Sequence, residues 1–143
     1  MKIAESILTG AKSPGIYRLT TRVKPTAILE GFAEAGWQSF YINGLKVYDK
    51  DTFLHSCATA MHFPDYFGHN WDAFEECIRD LAPAKGYVLL YDHVAQFAGK
   101  EFDEWRTALD ILADAVGFWN KTKTPMYVLL RHTESYARNL RAW

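Results

Sequence analysis

The chain of 143 residues has only two cysteines and five prolines, and its net charge of −1 is small. Two thiols, Cys57 and Cys77, supply no disulfide framework of the kind that staples small secreted domains. Both fall at apolar-face positions of predicted helices. No C-x-x-C, H-E-x-x-H or paired Cys/His spacing occurs, and the five histidines (His55, His62, His69, His93, His132) are scattered, so spacing predicts no metal centre. A Gly-rich phosphate loop and a G-x-S-x-G elbow are also missing. No apolar run reaches the roughly 18–20 residues that span a bilayer. The opening stretch, "MKIAESILTGAKSPG", lacks a signal peptide's long apolar segment and small-residue cleavage site. These absences lead to the expectation of a soluble, cytoplasmic monomer with no membrane, cofactor or metal partner.

What is present is apolar and aromatic. Hydrophobic residues make up 49% and aromatics 15%, which excludes a disordered chain. The length fits one domain, residues 1–143. Charge is unevenly spread: residues 1–36 sum to +2, residues 37–119 to −7 and residues 120–143 to +4. An acidic middle argues against direct nucleic-acid binding there and favours a cationic protein partner.

Periodicity predicts strands at Gly15–Leu19, Gln38–Ile42, Tyr87–Tyr91 and Met126–Leu130. Helices are predicted from Pro25 to Gly36, over Thr52–Met61 with Asp49 or Asp51 as cap, over Trp71–Leu81 and over Glu101–Asn120. In the last of these, Phe102, Trp105, Leu109, Leu112, Val116 and Trp119 form the apolar stripe. "DHVAQFAG" reads as a loop or short helix, and "ESYARNLRAW" as a basic terminal helix packing Tyr136 and Leu140. Alternating strands and helices predict an α/β fold, with a mainly parallel sheet and helices on its faces. Residues 1–36 read as an N-terminal β-α extension of a smaller core, and residues 132–143 as a basic tail.

One segment is unusual. "FPDYFGHNWDAFEEC" (Phe63–Cys77) holds five aromatic rings and four carboxylates in fifteen residues. Asn70 is a natural N-cap for the helix that follows. On a helical wheel, Trp71, Phe74, Ile78 and Leu81 share one side, with Cys77 at the margin. Asp72, Glu75, Glu76 and Arg79 share the other. The three carboxylates stand at i, i+3 and i+4 and repel by a few tenths of a kcal/mol per pair. Asp72 is offset by the helix dipole, and Glu75 can pair with Arg79. Gly68 is expected to allow an unusual backbone conformation. Tyr66 and Phe67 are placed to staple the loop while leaving an amphipathic ring at the surface, an interface composition.

In "PDYFGHNWDAFEECIRDL" the sequence resembles the barstar family, intracellular inhibitors of bacterial ribonucleases. Tyr66, Gly68, Asn70, Asp72, Ala73 and acidic Glu76 keep the family's spacing without a gap. "FYING", the helix after Asp51, "YVLLY" and "MYVLL" follow in the family's order, over about residues 38–131. The resemblance implies a three-layer α/β/α fold with a short parallel sheet. It also implies a partner: a cationic ribonuclease or ribonuclease-type toxin, whose active site the loop and acidic helix occupy in place of RNA phosphates. Carboxylates meeting Arg and Lys there make charge-assisted hydrogen bonds. Tyr66, Asn70, Asp72 and Glu76 match family contacts, with Glu76 at the central acidic position. Glu75 stands where the type inhibitor has Trp, and Arg79 where it has a small polar residue; Glu75 is kept as a partner-binding candidate by its place on the acidic face.

Two other functions fit the residues. A barstar-fold adaptor would use the same face to bind another cationic protein without inhibiting a nuclease. An enzyme would use His69 with Glu75 and Glu76 as paired acids. Cys77, at an apolar margin, is a poor nucleophile, and no catalysis is expected.

Overall fold

The computed structural model describes residues 2–64 and 68–143. The order of elements is α1 (Ile3–Leu8), β1 (Gly15–Leu19), α2 (Pro25–Ile28), β2 (Gln38–Asn43), α3 (Lys50–Met61), α4 (Trp71–Ile78), β3 (Tyr87–Asp92), α5 (Val94–Lys100), α6 (Phe102–Asn120), β4 (Met126–Arg131) and β5 (Arg141–Ala142). The strands form one sheet in the order β2-β3-β4-β1-β5, and every pairing is parallel. The class is α/β, as the alternation of strand and helix predicts.

β3 and β4 are buried along their whole lengths, which is why they read as unbroken apolar runs. One face of the sheet, with Phe40, Ile42, Leu89, Tyr91, Val128 and Leu130, packs under α3–α6. The opposite face, with Tyr17, Leu19, Val88, Leu90, Tyr127 and Leu129, is covered by Ile7 of α1, Ile28 of α2 and Phe32. The covering on this side is thin because both helices are short.

Asp49 starts α3. Its Oδ1 accepts from the Thr52 backbone N–H at 2.8 Å, and the Thr52 hydroxyl faces back to the Asp49 N–H at 3.1 Å. This reciprocal pair fixes the cap at Asp49 rather than Asp51. The Asn43-Gly44 turn after β2 needs glycine for room: a Cβ on Gly44 would lie 2.1 Å from the Asp92 carbonyl oxygen.

Four expectations change. The helix begun at Pro25 lasts one turn, and Gly31 at φ 96° then opens the chain into turns that end at Gly36. A helix at Ile3–Leu8 carries no cap side chain and was not expected. The buried face of α6 is wider than the predicted stripe: Trp105, Leu112 and Val116 are buried and Leu109 and Trp119 pack at the core's margin as expected, Ala108, Ile111 and Ala115 join them, and Phe102 is 48% exposed. A stripe drawn on bulky residues alone passes over the buried alanines, Ala108 and Ala115. The C-terminal segment is turns followed by β5, not a helix. The Arg18 Nε donates to Leu140 O at 3.1 Å, and the Trp143 N–H to Arg18 O at 2.9 Å. The outer edge of β1 has backbone groups to satisfy, and strand pairing satisfies them. Tyr136 and Leu140 still pack against the helical layer.

Candidate acidic helix

The acidic face stands on α4, and the sequence explains how α4 is held. Asn70, in extended conformation, accepts from the Ala73 N–H through its Oδ1 at 2.8 Å. Its Nδ2 donates to Gly68 O at 3.3 Å. Among the described residues of this loop, His69 is left-handed, at φ 48°, and Gly68 is not among the left-handed glycines. Gly68 instead leaves space: a Cβ there would lie 3.1 Å from the Asn70 amide nitrogen.

Two tryptophans bind α4 to α6. At its start, the Trp71 indole N–H donates to Glu104 Oε2 at 2.8 Å. At its end, the Trp119 indole N–H donates to Ile78 O at 2.9 Å, satisfying a terminal helix carbonyl. Phe74 and Ile78 are fully buried between these points, and Phe53 meets both Trp71 and Phe74. Lys50 Nζ lies 5.7 Å from the Trp71 ring centre, a cation–π contact. The helix is therefore fixed at both ends and along its inner face.

The outer face presents the carboxylates. Asp72 and Glu76 are exposed and have no ion-pair partner among the described residues. Glu75 is half-exposed and pairs with Arg79 at 3.0 Å. The Arg79 guanidinium lies 5.5 Å from the centre of the Phe118 ring, on α6. Glu75 and Arg79 thus form a local unit backed by an aromatic ring, while Asp72 and Glu76 keep their charge toward solvent. Beside them, Glu76, Cys77 and Asp80 line a cleft of about 190 Å³ whose far wall is Met61–Pro64. Burial, with Glu76 and Asp80 adding negative charge, pushes the Cys77 thiol up. The thiolate is disfavoured and so is a nucleophilic role.

Of the residues singled out in sequence, Asn70, Asp72, Glu75 and Glu76 come together on one helix and its cap; Tyr66 lies outside the described residues. His69 stacks near His55, with ring centres 6.3 Å apart. Sequence reasoning missed Glu104, Trp119 and Phe118 as supports of this face. Their distance in the chain hides them, and only the amphipathic character of α6 hinted that it would meet α4.

Comparison with known proteins bears on the same region. Residues 37–131, two-thirds of the chain, match the family described as Barstar (barnase inhibitor). No curated protein sequence matches. Among solved structures, the ORC2 protein of Aeropyrum pernix is similar in its ADPNP–ADP form, with a TM-score of 0.57 and 12% identity. Its ADP form gives a TM-score of 0.57 and 13% identity. Both alignments cover 96% of this chain and 41% of the other, so the chain spans less than half the length of that protein. At such identity the likeness is one of fold alone.

Proposed function

This chain belongs to the barstar family, and from that premise we propose that it binds the active site of a cationic ribonuclease or ribonuclease-type toxin through α4 and the loop before it, without catalysis of its own. The observation that supports this best is the pair Asp72 and Glu76: exposed, unpaired among the described residues, and projected from a helix fixed at both ends by indole hydrogen bonds. A fixed helix loses little freedom on binding, so more of the interaction energy appears as affinity. In this reading Asp72 and Glu76 stand in for RNA phosphates before Arg and Lys groups. Asn70 sets the start of the helix, Tyr66 adds an aromatic contact, and Glu75 serves the interface by holding Arg79 away from the incoming cations.

The test is binding and inhibition against a panel of secreted and toxin ribonucleases. A nanomolar to micromolar complex that blocks RNA cleavage is expected. Glu76→Ala should weaken it by about 2 kcal/mol or more, a figure for charged interface anchors in general, barnase–barstar among them. An unchanged dissociation constant would remove Glu76 from the central position.

A second reading, an adaptor for another cationic protein, draws support from the Glu75–Arg79–Phe118 unit, which makes part of the face mixed rather than acidic. Affinity capture that retains a protein with no nuclease activity, released by salt, would favour it. The nucleotides of the ORC2 structures are not carried over, since this chain has no G-x-x-x-x-G-K-[ST] loop.

A further inference from the structure

The carboxyl edge of the sheet holds a second cluster, on neighbouring strands. β3 ends at Asp92 and is followed by His93; β4 ends at Arg131 and is followed by His132. Tyr91 pairs with Leu130, so the two strand ends are level. Each histidine then takes a left-handed conformation, φ 55° at His93 and φ 53° at His132. The matching turns bring the rings parallel, 5° apart in plane and 4.4 Å between centres. His132 Nε2 lies 3.3 Å from Asp92 Oδ1. One donor atom from each of Asp92, His93 and His132 falls within 4.8 Å of the others.

We propose that Asp92, His93 and His132 bind one divalent transition-metal ion of the zinc class. Ligands about 2.0–2.1 Å from a tetrahedral ion stand about 3.3 Å from one another, the separation of His132 Nε2 from Asp92 Oδ1. His93 closes the set by a modest side-chain rotation, which its partial exposure allows. Asp92 is already oriented: Arg131 donates to its Oδ1 at 3.1 Å and its Oδ2 at 2.7 Å. Such outer support is what metal-binding side chains need to hold their geometry.

The same contact selects the metal. Arg131 offsets the carboxylate charge, so two neutral imidazoles dominate the site. Imidazole suits zinc, copper and nickel, whereas magnesium and calcium require oxygen shells. The neighbouring cation also weakens Asp92 as a ligand and places the expected affinity in the micromolar range. An open hollow lined by His93, His132, Gln96 and Glu134 lies beside the cluster. It leaves room for water or the Glu134 carboxylate at the fourth position.

The experiment titrates the full chain, without a histidine tag, with Zn²⁺ by calorimetry. One equivalent should bind, unaffected by excess Mg²⁺. His93→Ala and His132→Ala should each weaken binding at least about tenfold. His55→Ala, which breaks the other histidine pair, should leave it unchanged. In the wild-type chain, the ring NMR signals of His93 and His132 should shift on zinc addition, so the site can be read without any variant. No saturable micromolar binding, affinity that survives both substitutions, or shifts confined to His55 and His69 would each overturn the proposal.

Discussion

At the scale of single residues, two neighbours in sequence carry opposite expectations. Asp92 and Arg131 are both buried, and Arg131 also donates to Thr21 O at 3.1 Å and Val23 O at 2.6 Å. Burial alone would raise the Asp92 carboxyl, but the Arg131 hydrogen bonds and charge outweigh it and hold the group below the usual range. Arg131→Met would leave a buried charge alone and free two carbonyls. A loss of about 3–5 kcal/mol in urea unfolding is expected, and a loss below about 1 kcal/mol would show the pair to be weakly coupled. Tyr91 is the reverse case. Its hydroxyl is buried with no hydrogen-bond partner among the described residues, and burial pushes its pKa up. Tyr91→Phe removes a polar group that has only a desolvation cost, so stability should stay level or rise by up to about 1 kcal/mol. A clear drop would reveal a partner for that oxygen. Neither role was legible in the sequence: Asp92 fell in a segment read as a loop or short helix and Arg131 just past the predicted strand Met126–Leu130, and only the register of β3 on β4 pairs them.

At the scale of elements, caps were legible and packing faces less so. Asn70 was identified, and Asp49 as one of two candidates with Asp51, because an N-cap is a local interaction, complete within four residues. Asn70→Ala should cost about 1 kcal/mol of stability and also weaken partner binding, since the start of α4 sets the direction of Asp72. Equal affinity for the variant would separate the cap from the binding face. The Asp49 carboxyl is held low by the Thr52 backbone N–H and then by the Thr52 hydroxyl. A carboxyl lowered by folding adds stability above the ordinary Asp range near about 4, and that stability is lost as pH falls through the folded value. Between pH about 5 and 3, Asp49→Asn should therefore lose less stability than the wild type. Parallel pH profiles would refute this. The full width of the α6 face and the C-terminal strand were not legible, because each depends on what the rest of the chain offers. α6 uses Ala108 and Ala115 against the core, and the tail pairs with an edge of β1 that exists only once the sheet has formed.

At the scale of the whole molecule, the family match begins at residue 37, yet β1 from residues 1–36 lies inside the sheet, between β4 and β5. Its five residues pair with Tyr127–Arg131, and Tyr17 and Leu19 share a core with Val88, Leu90, Tyr127 and Leu129. Removing residues 1–36 would strip the cover from those last four buried side chains. At about 1.5–3 kcal/mol for each, the upper bound is roughly 6–12 kcal/mol, comparable with the whole stability of a domain, about 5–15 kcal/mol. It would also leave β4 as an open edge and β5 without a strand to pair with. The acidic helix would be affected indirectly, because α6, which fixes α4 at both ends, packs on the sheet that β1 completes. A chain of residues 37–143 should therefore lose the sharp urea transition of the full protein, bind a hydrophobic dye and fail to hold a partner that the full chain retains. A cooperative transition of similar midpoint in the shortened chain would show the N-terminal segment to be an accessory to an independently stable core.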